Sequence, residues 1–184
     1  YQTDKSKRWS YENVFDWIEI ELGQFKNEKS AFTELKLLRK VFSSLPKNVK
    51  IFGLIHYDFE LDNVFYDEGN KSFSVIDFDD AMYHWYVVDI EQVLDSLQEV
   101  LHENDYLQKR KIFLEGYSSE FDISNDMLEK IPIFKRFINL YGYTRILRSA
   151  QEKWENEPEW LVTLRRKLNN LLKKRSKMFC KEIG

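Results

Sequence analysis

Over much of the chain, apolar residues recur every three or four positions, and that period predicts helices. One is expected from Ser10, a candidate N-cap, to about Leu22, with Gly23 closing it. A second fits Ser30 to Ser44: Phe32, Leu35, Leu37, Leu38, Val41 and Phe42 form its apolar stripe and Pro46 stops it. The pattern changes at residues 49–55, a short, partly β-branched run that predicts a buried strand or extended segment. Asn63–Tyr66 and Ser72–Ile76 read as two short strands. Between them Asp67-Glu68-Gly69-Asn70 is a turn in which Gly69 and Asn70 can accept positive φ. From His84 the helical period returns, with Val87, Ile90, Leu94, Leu97 and Leu101 as the buried face of a long helix ending near His102. Further helices fit residues 106–117, 125–150 and 157–182, and Pro132 is an early break in the second of these. The expected fold class is α+β and mostly α-helical, several helices around one small β-hairpin.

Composition narrows the picture. A chain of 184 residues is one domain by length, residues 1–184, and long enough for a real core. Its 43% hydrophobic and 16% aromatic content excludes a disordered chain, and only 6 Gly and 3 Pro suit helices. A single cysteine, Cys180, excludes an intramolecular disulfide framework and fits a reducing, cytoplasmic setting. No signal peptide and no bilayer-length apolar run is present in the sequence. The net charge of −3 hides an asymmetry: residues 55–105 hold fourteen Asp or Glu and one Lys, whereas residues 161–184 hold eight Lys or Arg and one acid. The basic C-terminal helix reads as amphipathic with a solvated cationic face, so we expect no nucleic-acid and no membrane partner.

The chemistry concentrates in His56-Tyr57-Asp58-Phe59-Glu60-Leu61-Asp62-Asn63 and, beyond the hairpin, Asp77-Phe78-Asp79. Phosphoryl transfer asks a protein for positioning and for cations near the phosphates. Mg²⁺ takes oxygen ligands, one or two carboxylates beside substrate phosphates, so an Asn amide and an Asp carboxylate suffice. A short loop from Asp58 to Asn63 can turn both side chains into one cleft, and Asp77 enters it from the end of the second strand.

These residues resemble the signature of the aminoglycoside phosphotransferase and choline kinase-like family, which shares the protein-kinase-like fold. The family pattern is roughly H-x-D-x-x-x-x-N, an apolar hairpin, then I-D-[FW]-[DE]; here Ile76-Asp77-Phe78-Asp79-Asp80 supplies the second part. The resemblance implies that the chain is the C-terminal lobe of an ATP- and Mg²⁺-dependent kinase acting on a small-molecule hydroxyl. It makes Asp58 the catalytic base, Asn63 and Asp77 the Mg²⁺ ligands, and Phe65 and Ile76 the apolar floor beneath an adenine ring. His56 becomes a structural residue near the metal-binding turn, and Asp89 the acid at a helix start that braces the catalytic loop. Asp79 is either a turn acid or a second contact to metal or substrate. The chain departs from the commoner H-G-D-x-H-P-G-N form, with Tyr57 for Gly and Glu60-Leu61-Asp62 for His-Pro-Gly. Glu60 replaces the Lys or Arg of protein kinases, and the nine residues between Asp79 and Asp89 leave no room for an activation segment, which favours a small-molecule acceptor.

No Gly-rich phosphate loop and no strand Lys precede the motif. We therefore expect the N-terminal nucleotide lobe to be missing from a chain that starts at Tyr1, and the chain to be nearly inactive alone. Tyr83, Trp85 and Tyr86, with Tyr141, Tyr143, Arg145 and Trp154 further on, are either core residues or aromatic faces for a cationic acceptor such as choline or an amino sugar. Two other readings compete: a metal-dependent phosphoesterase using Asp58, Asp77 and Asp79, and a degenerate kinase-like binding module.

Overall fold

The computed structural model describes residues 8–151 and 156–180. In chain order it contains α1 (Tyr11–Gly23), α2 (Lys29–Ser44), β1 (Phe52–Ile55), a 3₁₀ turn (Leu61–Asn63), β2 (Val64–Asp67), β3 (Ser72–Val75) and β4 (Met82–Trp85), followed by α3 (Val87–Val100), α4 (Glu103–Glu120), α5 (Asn125–Glu129), α6 (Ile131–Ser149) and α7 (Glu159–Ser176). The class is α+β and mostly helical, as the apolar period predicts. Packing divides the chain into two compact units: residues up to Tyr11 with Pro46–Phe134, and Glu12–Leu45 with Lys135 onward.

The first unit carries both antiparallel strand pairs, β1 with β4 and β2 with β3. β4 corrects the sequence reading, which starts a helix at His84; the helix starts only at Val87. Four residues are too few to display a period, and their partners lie thirty residues upstream: Phe52 opposes Trp85 and Ile55 opposes Met82. Trp85 is wholly buried, with its ring against Tyr11, Phe52 and Phe134 at 4.8, 5.0 and 5.7 Å and its indole N–H donated to the Pro46 carbonyl. Gly53 in β1 is there because Tyr86 crosses it: a Cβ would lie 2.3 Å from the Tyr86 hydroxyl, which donates to the Val49 carbonyl.

The β2–β3 turn also differs from expectation. Its left-handed residue is Lys71, at φ 49°, and no glycine among the described residues has positive φ. Asp67 organises it instead, accepting from the Gly69 and Asn70 backbone N–H groups and from the Asn70 amide. Those bonds hold its carboxyl below the usual range, the Asn70 side chain contributing most.

In the second unit, Phe15 meets Phe42 and Phe137 edge-on at 5.4 and 5.2 Å, while Phe42 and Phe137 stack at 5.5 Å. Burying each such side chain stabilises by about 1.5–3 kcal/mol. Buried Glu34 on α2 receives a two-pronged guanidinium from Arg136 on α6, at 2.7 and 2.6 Å, and also the Cys180 backbone N–H at 2.8 Å. The helix expected over 125–150 is interrupted at Lys130, with Pro132 in the first turn of α6, where a missing N–H costs nothing. The final helix stops at Ser176; Lys181, Glu182 and Trp154 lie outside the described residues. No helix among the described residues is long and apolar enough to cross a membrane.

Candidate functional site

The loop after β1 begins with a residue in an unfavourable conformation. Tyr57 has φ 65°, a left-handed value that costs a non-glycine residue roughly 1–2 kcal/mol. The commoner motif has glycine here, and the conformation explains why. Tyr57 is held there by α3: the Asp89 carboxylate accepts the His56 and Tyr57 N–H groups, both at 2.9 Å, and the Gln92 amide donates to the Tyr57 carbonyl at 2.5 Å. Asp89 lies in the first turn of α3, where the helix dipole favours an anion. Burial nevertheless dominates and raises its carboxyl above the usual range, against the lowering effect of the two N–H donors.

His56 ties this loop to the second one. Its Nδ1 accepts the Asp58 N–H at 3.2 Å, so the ring proton sits on Nε2 and is donated to the Ile76 carbonyl at 2.8 Å. The imidazole is buried against Phe78 and Phe59, at 4.5 and 5.6 Å. Asn63 makes the second tie, its backbone carbonyl accepting the Ile76 N–H at 3.1 Å. Asp77 follows directly, itself left-handed at φ 63°, a conformation Asp tolerates better than most residues. Arg8 fixes the far side of this turn by donating to the Phe78 and Asp79 carbonyls, both at 2.8 Å.

Within the loop, the Asn63 amide nitrogen donates to the Asp58 carbonyl at 2.8 Å and to Asp58 Oδ2 at 3.1 Å. Asp58 Oδ1 and Asn63 Oδ1 have no protein partner among the described residues, so one carboxylate oxygen and one amide oxygen are available to a ligand. The 3₁₀ turn that returns the chain to Asn63 is pinned by the Leu61 N–H, donated to Ser96 of α3 at 3.3 Å. Strand alternation puts Phe65 and Ile76 on the same hairpin face as Asn63, and they are 55% and 48% exposed. Glu60 has its carboxyl pushed up by burial first, then by Asp58, Asp62, Glu99 and Asp95, which marks a concentration of acids around Glu60, Asp58 among them.

The aromatic acceptor candidates are placed differently from a binding surface. Trp85 has no exposed ring face, so packing uses all of it. Tyr86 is spent on the Val49 carbonyl and an edge contact to Phe121 at 5.4 Å. Tyr83 is half-buried in β4, its backbone N–H donated to the Trp9 carbonyl. In the other unit Tyr141 packs against Trp17, with Arg145 over its ring, and Tyr143 donates to Glu28. Arg8, Gln92 and Ser96 escape the sequence reading. Gln92 is the one with a signal, since position i+3 from Asp89 faces the same loop.

The hairpin of a mostly helical chain thus carries two loops, each with a left-handed residue, and leaves the Asp58 and Asn63 oxygens open to a ligand. Residues 6–118 match the model of the phosphotransferase enzyme family, and the chain belongs to that family. Amicoumacin kinase of Bacillus subtilis (strain 168) is 26% identical over 156 residues, covering 79% of this chain and 45% of that protein. The solved structure of amicoumacin kinase hAmiN in complex with AMP-PNP, Ca²⁺ and Ami superposes with a TM-score of 0.72 at 21% identity, covering 99% of this chain and 55% of that one. The microcompartment-associated aminopropanol kinase gives a TM-score of 0.58 at 17% identity, over 80% and 42% of the two chains. These likenesses establish a kinase-like fold, and the chain spans about half the length of the relatives it matches.

Proposed function

We propose that this chain is the catalytic and acceptor-binding lobe of an ATP- and Mg²⁺-dependent kinase that phosphorylates a hydroxyl of a small, amine-bearing molecule. The observation that carries this is the Asp58–Asn63 contact, tied through His56 and Ile76 to Asp77. Asp58 is the base: Oδ2 is steadied by Asn63, and Oδ1 takes the proton of the attacking hydroxyl. Asn63 Oδ1 and the Asp77 carboxylate would hold the metal, hard oxygen donors of the kind Mg²⁺ takes beside phosphate oxygens. When bound, Mg²⁺ neutralises charge on the transferring phosphoryl group. His56 and Asp89 keep the two loops in register, and Phe65 with Ile76 offers an apolar surface to an adenine ring. Asp79 stands at the same turn as a further contact to metal or acceptor.

The amine preference rests on the acids around Glu60, two residues from Asp58: together with Asp58, Asp62, Asp95 and Glu99 it makes a local negative field. Amine recognition by charge takes the place of the aromatic faces of Trp85 and Tyr86, which are committed to packing. The metal-dependent phosphoesterase reading, with Asp58, Asp77 and Asp79, differs in expecting two-metal binding and hydrolysis without ATP by this chain alone. Because the chain spans about half of its relatives and carries no Gly-rich phosphate loop, we assign nucleotide enclosure to a second lobe outside this sequence.

Phosphotransfer from ATP to a panel of paired acceptors, each amino alcohol beside its neutral isostere, tests the reading in the protein carrying both lobes. Mg²⁺-dependent transfer with amino alcohols at least about tenfold better in kcat/KM is expected. Equal use of neutral acceptors removes the charge argument, and substantial phosphotransfer by this chain alone removes the second lobe.

A further inference from the structure

We propose that Gln92 is a positioning residue for the phosphotransfer reaction: by holding the Tyr57 carbonyl it keeps the left-handed Tyr57 peptide in place and so fixes the direction of Asp58. The inference rests on the reading of Asp58 as the base and adds a residue to it. Three observations meet at this side chain. Tyr57 stands at φ 65°, where only glycine rests without strain, so something must hold it. Asp89 holds the N–H side of the peptide run by accepting from His56 and Tyr57, and Gln92, one turn later on α3, holds the carbonyl side at 2.5 Å. The carbonyl needs a donor, which sets the Gln92 amide with nitrogen toward Tyr57 and oxygen away from it.

The third observation is what the amide gives up. Gln92 is only 7% exposed, and its Oε1 is a buried acceptor without a protein partner among the described residues. A side chain selected for packing alone is better served by Met or Leu, which bury no unsatisfied oxygen. Its single hydrogen bond goes to the residue next to Asp58. A glycine in place of Tyr57 removes the strain, and with it much of the need for a donor at position 92. Gln92 thus compensates for the departure of Tyr57 from the glycine of the commoner motif.

Amide hydrogen exchange on this chain, read by NMR for Gln92→Met alone and for Gln92→Met combined with Tyr57→Gly, tests the hold directly. With Tyr57 in place, exchange at His56 and Tyr57 is expected to quicken about tenfold, the factor of one lost hydrogen bond, while α2 amides keep their rates. Added to Tyr57→Gly, the same substitution is expected to change exchange at these two positions by less than about threefold. Unchanged exchange at His56 and Tyr57, or an equal effect in both backgrounds, overturns the proposal. Should Gln92→Met fail to fold, Gln92→Asn, one methylene short of the Tyr57 carbonyl, reads the same quantities. In the two-lobe protein, kcat is expected to fall about 10- to 100-fold with the KM for ATP within about threefold. A KM effect with unchanged kcat also overturns it. If the unsubstituted protein transfers no phosphate, the kinase reading fails, and the exchange data still decide whether Gln92 holds Tyr57.

Discussion

Asn63 makes two kinds of contact with one amide, donating through nitrogen to Asp58 and leaving oxygen for a ligand. Replacing it with Ala frees the Asp58 carboxylate and deletes the proposed metal donor together, so kcat/KM in the proposed two-lobe protein is expected to drop by about 100-fold or more. Steady-state kinetics at several Mg²⁺ concentrations check it, and a loss below about threefold removes Asn63 from the site. Glu60 offers a prediction in pH. Burial and four neighbouring acids raise its carboxyl in the folded state above its unfolded value of 4.5, so its ionised form opposes folding. Stability therefore declines as pH climbs through the window above 4.5, and Glu60→Gln should raise Tm at pH 7 but have little effect near pH 4. Thermal melts across that range show it; a gain that grows toward pH 4 contradicts the sign. How far the site could be read from sequence varied by residue. Asp58, Asn63 and Asp77 stand out because their spacing matches the family pattern they resemble. The positive φ of Tyr57 does not, because it depends on contacts from α3, more than thirty residues away, and Gln92 is marked only by its place one turn after Asp89.

At the level of elements, local patterns were readable and distant pairings were not. Helices α1, α2 and α7 and the β2–β3 hairpin follow from period and turn residues, since their hydrogen bonds close within a few positions. β4 does not, because a four-residue strand exists only through β1. The turn of the hairpin was recognisable but not its left-handed residue, since Asp67 side-chain bonds shift that conformation to Lys71. Gly53 shows the same dependence: in sequence it is an isolated glycine, in the fold it is the space that Tyr86 occupies. Gly53→Ala puts a methyl 2.3 Å from the Tyr86 hydroxyl, breaking its bond to Val49 or bending β1. We expect a loss of about 1–3 kcal/mol in urea unfolding. An unchanged midpoint means that Tyr86 moves aside without cost.

At the scale of the molecule, the most distant ties lie in the second unit, where Glu34 gathers Arg136 and the Cys180 N–H across 102 and 146 residues. Arg136→Ala leaves a buried carboxylate without its cation and should destabilise by about 3–5 kcal/mol. Urea unfolding reads this too, and a change below about 1 kcal/mol says the pair is replaceable. The charge asymmetry of the sequence has a counterpart in the fold: part of the acidic block, from Asp58 to Glu99, gathers around Glu60, while basic residues of α7 lie in the other unit. Everything proposed for the site turns on the role of Asp58 as the base of a metal-dependent phosphotransfer. It is tested most directly by phosphotransfer from ATP in the two-lobe protein, comparing Asp58→Asn with the unsubstituted protein under saturating ATP and Mg²⁺. We expect kcat to fall by at least about 100-fold, ATP binding to stay within about threefold, and removal of Mg²⁺ to abolish the remaining transfer. Retained kcat in Asp58→Asn, or transfer that persists without a divalent cation, contradicts it.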